Sequence, residues 1–282
     1  MAVVFRGRRT DGKHAVAIKV MRPEIGYEDG VVERFHIEGE VMAQLDHPHI
    51  VRINARGEDG EILWLEMDLV EGSSLAAVLK RGPVAWRRAA RLIAEAADAL
   101  AYAHARGVVH RDVKPANLLL TNAEDRLVVA DFGIARIVDS RRLTATGVVV
   151  GTPSYMSPEQ LAAKGEFVPA SDQYALGAVA YEMITGTFPE SGLKVGREGS
   201  VSRFLRRKRL RSLGPACPHA LGVLVARMLE LRPENRWPDL GVVSRLAREI
   251  AETGTATSLQ RRTPGRRIVA MFRRMIEANR PW

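Results

Sequence analysis

"VVHRDVKPANLLL" (residues 108–120), followed by "ADFGIAR" (130–136), is the stretch that decides the fold. Pro115 prevents a regular helix, so we expect a shaped loop that carries Asp112, Lys114 and Asn117. Asp131 follows fourteen residues after Asn117, where a short strand gives way to a loop. Carboxylate and amide oxygens are ligands suited to Mg²⁺, and a second carboxylate beside a lysine suits a hydroxyl attacking a phosphate. The pattern therefore indicates phosphoryl-transfer chemistry.

Strand signals dominate the first seventy residues and helical signals dominate the remainder. Val- and Ile-rich runs predict strands near 2–9, 14–21, 50–56 and 61–70, with a helix at 31–45 between them. The alanine-rich stretch 84–107 predicts a long amphipathic helix that stops at Gly107. Short strands at 117–121 and 126–130, a loop over about 131–160, and helices at about 170–186 and 218–250 complete the prediction. We therefore expect a small sheet-rich lobe followed by a larger helical lobe.

The composition is that of a globular protein, with 46% hydrophobic and 27% charged residues in 282. No apolar run is long enough to span a bilayer and the N-terminus lacks a signal-peptide core, so we expect a cytoplasmic protein. The single cysteine, Cys217, excludes an intrachain disulfide and a cysteine-rich zinc site. We interpret it as a passive core thiol.

The net charge of +9 comes from two local blocks. Residues 197–211 hold seven Lys/Arg and one Glu, and residues 251–282 hold seven Arg and two Glu. Phe204 is the one aromatic residue in the first block, so this block does not predict a stacking platform for nucleic acid. We interpret it as a solvated helix or a docking face, and we expect no nucleic-acid partner.

Four motifs in order, "VAIK" (16–19), "HRDVKPAN" (110–117), "DFG" (131–133) and "SPE" (157–159), resemble the protein kinase family. The details are most similar to bacterial Ser/Thr kinases of the eukaryotic-like type, over about residues 1–250. The resemblance implies an α+β, two-lobed protein kinase fold. It places the small lobe at 1–70, the larger lobe at 71–250, and a linker with a C-terminal helix at 251–282.

The resemblance also implies roles for individual residues. Lys19 would pair with the α/β-phosphates of ATP, with Glu38 as its helix partner; Glu40 is the competitor, on another face of that helix. Asp112 would accept the proton of the substrate hydroxyl, Lys114 would neutralise the γ-phosphate, and Asn117 and Asp131 would hold Mg²⁺.

The same resemblance places the adenine site. The hinge would be Asp68-Leu69-Val70, whose backbone reads adenine, with Met67 at the back of the pocket. Val4 and Ala17 would line the nucleotide site from the small lobe.

Lys114 and Thr152 indicate a Ser/Thr acceptor, and three further residues indicate regulation. Lys114 in the loop and Thr152 in "GTPSYMSPE" stand where Ser/Thr kinases carry them. Thr144 and Thr146 lie between the DFG and the SPE, and Arg111 precedes Asp112. We therefore predict autophosphorylation at Thr144, Thr146 or both, with the phosphate pairing with Arg111.

Other motif residues are expected to be structural. By resemblance, Arg236 and Glu159 would form a buried ion pair, and Asp172 would anchor the loop that carries Asp112. His110 is expected to pack and hydrogen-bond rather than to act as a base.

The beginning of the sequence departs from the family pattern. Aligned on "VAIK", Val4 takes the last position of the Gly-rich loop and Ala2 takes its third glycine, so the first strand would lie before Met1. A misassigned start, a trimmed domain and a real loss of the strand all explain this, and the first two are favoured. The departure keeps an alternative open, a pseudokinase or impaired kinase that acts as a scaffold.

The stretch "TPGRRIVAMFRRMIEANRPW" (263–282) predicts a basic amphipathic helix. Its apolar residues fall on one face (Ile268, Val269, Met271, Phe272, Met275, Ile276), and Arg266, Arg267, Arg273 and Arg274 fall on the other. The larger lobe, an anionic membrane surface or a partner protein could cover the apolar face. We expect the first of these. The protein substrates and the oligomeric state are not determined by the sequence.

Overall fold

A four-stranded antiparallel sheet forms the smaller lobe. The computed structural model describes residues 2–9, 15–21, 31–60, 62–132, 155–161, 168–188 and 217–256. The strands β1 (Val3–Arg8), β2 (Ala15–Val20), β3 (Ile53–Asp59) and β4 (Ile62–Asp68) lie in the order β1-β2-β4-β3. Helix α1 (Val31–Ala43) packs on β3 and buries Phe35 and Met42. The predicted strands 2–9, 14–21 and 61–70 and the helix 31–45 are confirmed.

The strand predicted at 50–56 begins later than expected, since β3 starts only at Ile53. The residues before it bond to the larger lobe instead. The Val51 N–H donates to the Val129 carbonyl at 2.9 Å, and the Val129 N–H donates to the His49 carbonyl at 2.8 Å. These backbone bonds join the two lobes behind the small sheet.

A second, three-stranded sheet begins the larger lobe. Its strands β5 (Gly72–Ser74), β6 (Leu118–Thr121) and β7 (Leu127–Val129) pair in that order. The sequence predicted β6 and β7, but it did not predict β5 or the short helix α2 (Leu75–Leu79), whose first turn is capped by the Ser74 hydroxyl. Gly72 is required at its position because a Cβ there would overlap the Leu120 carbonyl oxygen.

Helices fill the rest of the larger lobe: α3 (Trp86–His104), α4 (Pro158–Leu161), α5 (Pro169–Thr185), α6 (His219–Met228) and α7 (Leu240–Thr253). Most of the buried residues of α3 are alanines, so α5 and α7 approach it closely. The Ser244 hydroxyl on α7 donates to the Ala94 carbonyl at 3.0 Å. The predicted helices 84–107 and 170–186 are confirmed, and the region 218–250 is divided by a 3₁₀ turn at Pro233–Asn235.

Several predictions fall outside the described residues. They concern Thr144, Thr146, Thr152, the basic block 197–211 and the C-terminal helix 263–282. The domain boundaries at 70 and 250 stay predictions. Among the residues that the structure describes, no helix combines the length and the hydropathy that crossing a membrane requires.

Candidate active site

A buried carboxylate fixes the loop 110–117, which we call the Asp112 loop. Asp172 on α5 is 1% exposed and accepts the backbone N–H groups of His110 and Arg111, each at 2.8 Å. Arg111 adopts a φ of 68°, a left-handed conformation that costs energy in a non-glycine residue. The two charge-assisted hydrogen bonds hold the loop in this shape. The predicted anchoring role of Asp172 is confirmed.

The Asp112 loop gathers the three polar residues that the sequence singled out. The Lys114 ammonium donates to Oδ2 of Asp112 at 2.7 Å. Asn117 donates from Nδ2 to the Asp112 carbonyl at 2.8 Å and to Oδ2 at 3.1 Å. Asp112 is half-buried, and among the described residues no donor bonds its other oxygen, Oδ1. Two donors thus orient the carboxylate through Oδ2.

An ion pair connects the two lobes across the cleft. Nζ of Lys19, on β2, lies 2.8 Å from Oδ1 of Asp131, and Lys19 is largely buried. Asp131 has a φ of 58°, so its side chain turns back toward the small lobe. The two residues that the resemblance assigned to the phosphates and to the metal therefore meet in one place.

The register of the small sheet puts the predicted nucleotide-site residues on one face. Val4 lies opposite Lys19 on β2, and Ala17 lies opposite Met67 on β4. Directly opposed residues share a face of the sheet, and alternate residues along a strand do so too. The side of the sheet that faces Asp131 therefore carries all four residues.

The back of this cleft is apolar. Met67 and Leu65 line a small cavity together with Lys19, Asp131 and Phe132. The predicted hinge residues follow directly: Asp68 ends β4, and Leu69 and Val70 lie in the segment that joins β4 to β5.

The two candidate glutamates of α1, Glu38 and Glu40, have different surroundings. Glu38 is half-buried, whereas Glu40 is exposed and pairs with Arg56 at 3.3 Å. Because Glu40 is already paired with a residue of β3, Glu38 is the candidate that we favour for the cleft. The role of Glu38 stays a prediction.

His110 has no nitrogen left for proton transfer. It is fully buried, its Nε2 lies 3.0 Å from the Ala130 carbonyl, and its Nδ1 accepts the Asp112 N–H at 3.2 Å. Its ring packs on Phe132 with centroids 4.6 Å apart. The prediction that His110 packs and hydrogen-bonds is confirmed.

Two residues near the site were missed by the sequence reasoning. Nε2 of His104, in the last turn of α3, lies 2.8 Å from Oδ2 of Asp172 and so joins the anchor of the Asp112 loop. Tyr155 lines a small cavity with Asp112 and Lys114. Its hydroxyl donates to Glu182 at 2.6 Å, and burial together with this carboxylate raises the pKa of Tyr155. Nothing local in the sequence indicates either contact, since the partners lie 68 and 27 residues away.

The predicted ion pair of the larger lobe is confirmed. Arg236 donates from Nη1 and Nη2 to the two carboxylate oxygens of Glu159 at 2.6 and 2.7 Å. The Arg236 side chain is 0% exposed and that of Glu159 is 19% exposed. Burial by itself raises the pKa of Glu159, but the hydrogen bonds and the charge of Arg236 outweigh it and hold that pKa below its ordinary value.

The donor set fits a divalent cation that is bound together with phosphate. Asn117 uses Nδ2 for both of its bonds to Asp112, which leaves its carbonyl oxygen for a cation. Asp131 has Oδ1 on Lys19, and no donor within the described ranges bonds its Oδ2. Among the described residues, no group of three or more His, Cys, Asp or Glu could hold a metal. Mg²⁺ suits such a site, because it is often bound by one or two protein oxygens plus phosphates and water.

Comparisons with known proteins agree with this geometry. Residues 1–246 match the sequence profile described as the protein kinase domain. The chain is 40% identical to serine/threonine-protein kinase PkaA of Streptomyces coelicolor over 244 residues, which cover 84% of this chain and 43% of that protein. It is 37% identical to serine/threonine-protein kinase PknH of Mycobacterium tuberculosis over 250 residues, which cover 88% of this chain and 40% of that protein.

A solved structure shares the fold. The PknI kinase domain of Mycobacterium tuberculosis superposes with a TM-score of 0.67 at 29% identity, covering 88% of this chain and 91% of that one. The expected two-lobed α+β fold is confirmed. The chain spans less than half the length of the two curated relatives above.

Proposed function

The chain belongs to the protein kinase family, and we propose that it transfers the γ-phosphoryl group of ATP to serine or threonine hydroxyls of proteins. The observation that carries this proposal is the Asp112 loop, where Asp112, Lys114 and Asn117 lie within 3.1 Å of one another's polar atoms. The ion pair between Lys19 and Asp131 supports it. A protein that served only as a scaffold would have no use for all of these groups in one cleft.

Two features favour serine and threonine over tyrosine as acceptors. Lys114 is seated on Asp112, where its charge can reach the transferred phosphoryl group. The relatives PkaA and PknH are named serine/threonine-protein kinases. Thr152, which the sequence analysis assigned to the same site, lies outside the described residues.

In the proposed reaction, Asp112 orients the acceptor hydroxyl with its unbonded oxygen and accepts the proton as the new O–P bond forms and the bond to ADP breaks. Lys114 neutralises charge on the transferred group, which costs little reorganisation because its position is already fixed. Lys19 holds the α- and β-phosphates. Asn117 and Asp131 would hold Mg²⁺, which when bound neutralises charge on the phosphate oxygens.

We also propose that the enzyme phosphorylates itself at Thr144, Thr146 or both. Arg111 lies directly before Asp112, so a phosphate bound to it would act on the Asp112 loop. Protein substrates are proposed as partners; their identity is open.

The decisive experiment compares the full chain with Asp112→Asn in Mg-ATP and a generic basic protein substrate. We expect incorporation to fall by about 10²–10⁴-fold, because the proton acceptor is lost while the side-chain volume is kept. Asp59→Asn, an exposed residue at the end of β3, is the matched control and should leave the rate unchanged. Equal incorporation by wild type and Asp112→Asn would refute the role of Asp112. No incorporation by either, with ATP still raising the melting temperature, would support a pseudokinase.

A further inference from the structure

A large cavity lies behind the segment joining the lobes, and the proposed catalytic residues do not line it. It has a volume of about 790 Å³, within the usual range of about 300–1,000 Å³ for ligand sites. Its lining comes from three segments: 46–52 before β3, 68–71 at the end of β4 and just after it, and 121–128 around the turn between β6 and β7. We call it the rear groove. Lys19, Asp112, Asn117 and Asp131 do not line it.

The rim of the rear groove is acidic. Four exposed carboxylates line it, those of Asp46, Asp68, Glu71 and Glu124. Two arginines, Arg52 and Arg126, also line it, and Arg126 is engaged by Glu124 and the Pro48 carbonyl. Glu71 pairs with Arg6, which lies outside the lining, at 3.7 Å. The groove therefore presents an excess of negative charge to an occupant.

The floor of the rear groove is partly apolar. Pro48, Leu69, Val70 and Val128 contribute to its lining. An occupant that matches both surfaces needs basic side chains for the rim and apolar side chains for the floor.

The C-terminal segment of the chain has this composition. Residues 257–282 contain seven arginines and one glutamate. The stretch 263–282 combines four arginines on one predicted helix face with an apolar stripe on the other.

The described part of the chain ends beside the first turn of α3. Ala256 is fully buried, and Arg87 in the first turn of α3 donates to the carbonyls of Ala251 and Glu252 at 3.0 and 3.2 Å. The next residue, Arg88, donates from Nε to Oδ2 of Asp125 at 2.7 Å, and Asp125 follows the groove turn 122–124. The first turn of α3 thus separates the exit of the chain from the edge of the groove. Six residues, 257–262, extend up to about 20 Å at 3.3 Å each, which is more than the diameter of about 10–12 Å of one helix.

We propose that residues 263–282 dock in the rear groove of their own chain, with the arginines on the acidic rim and the apolar stripe on the floor. The groove is lined by both lobes, so the docked segment contacts the hinge and the larger lobe together. This inference does not depend on the proposed kinase activity.

The test is cross-linking in the full chain. Cys217→Ser removes the native thiol, and Ala270→Cys then places a thiol in the segment. A second thiol is placed in the groove by Ala123→Cys or, as the matched control, at the chain exit by Ala85→Cys. Both alanines are exposed, and Ala85 directly precedes α3, where the chain leaves. If the segment had no docking site, its thiol would meet the thiol at position 85 at least as often as the thiol at position 123. The reason is that the effective concentration of a tethered group falls with distance from its point of attachment.

We expect a short bismaleimide to cross-link the groove pair within one chain about tenfold faster than the control pair, because docking raises the local concentration. Asp46→Lys with Glu124→Lys should abolish this preference, and high salt should weaken it. The same reversal at two exposed residues elsewhere, Asp59→Lys with Glu234→Lys, should leave it intact. Equal rates for the two pairs, or cross-links formed only between chains, would overturn the proposal. The proposal would also be overturned if the chain cosedimented with phosphatidylglycerol vesicles and, without vesicles, the two pairs cross-linked at equal rates.

Discussion

Replacing Glu159 with alanine should destabilise the larger lobe by about 3–5 kcal/mol, the usual cost of breaking a buried ion pair. The magnitude follows from what is left behind. The Arg236 side chain is 0% exposed, so its charge cannot reach water when the carboxylate is removed. Three carbonyls, those of Ala170, Glu230 and Leu231, still accept from the guanidinium, but they do not neutralise it.

A surface pair in the same chain provides the control. Glu40 is 65% exposed and pairs with Arg56 at 3.3 Å. Pairs of this kind contribute about 0–1 kcal/mol. Glu40→Ala should therefore change the free energy of unfolding much less than Glu159→Ala.

Urea unfolding followed by tryptophan fluorescence measures both variants, since Trp237 is buried directly beside Arg236. The two midpoints should differ clearly at pH 7, with similar slopes. A cost below about 1 kcal/mol for Glu159→Ala, comparable with that of an exposed pair, would refute the reasoning.

The same variants should respond differently to pH. The pKa of Glu159 is lowered in the folded state, because the bonds and charge of Arg236 outweigh the effect of burial. Its stabilisation is therefore complete above the ordinary glutamate pKa and is lost as the pH falls through the lower folded-state pKa. The stability difference between wild type and Glu159→Ala should shrink below about pH 4, near the ordinary glutamate pKa of about 4.3.

Three further predictions concern other parts of the molecule. Asp172→Ala should lower kcat by about 10²-fold with a smaller effect on the KM for ATP, since the Asp112 loop loses the acceptor of two N–H groups; steady-state kinetics with varied ATP would show this. Gly72→Ala should cost about 1–3 kcal/mol in thermal or urea unfolding, because the added methyl group overlaps the Leu120 carbonyl. Burial raises the pKa of the Cys217 thiol to about 11, so maleimide labelling at pH 7.5 should be about 10²-fold slower in the folded chain than in urea.

The sequence alone determined most of the order of elements, though not β5 or α2, and it identified the motif residues of the candidate site. Alternating Val and Ile runs, the alanine-rich stretch 84–107 and the motifs around Asp112 and Asp131 are local patterns. The structure has strands, helix and loop where they predict them, except that β3 begins only at Ile53. Motif residues such as Asp112 and Asn117 could be found because their residue types and spacing are themselves the signal.

Only the tertiary structure decided which distant groups meet. His104 joins Asp172 across 68 residues, and Tyr155 joins Glu182 across 27. β3 starts late because residues 49–51 bond to Val129 of the other lobe. Such contacts depend on how whole helices and strands pack, and the burial that gives them their energy does not exist in any local segment of the chain. The rear groove has the same origin, because three segments far apart in sequence form it only after the lobes have come together.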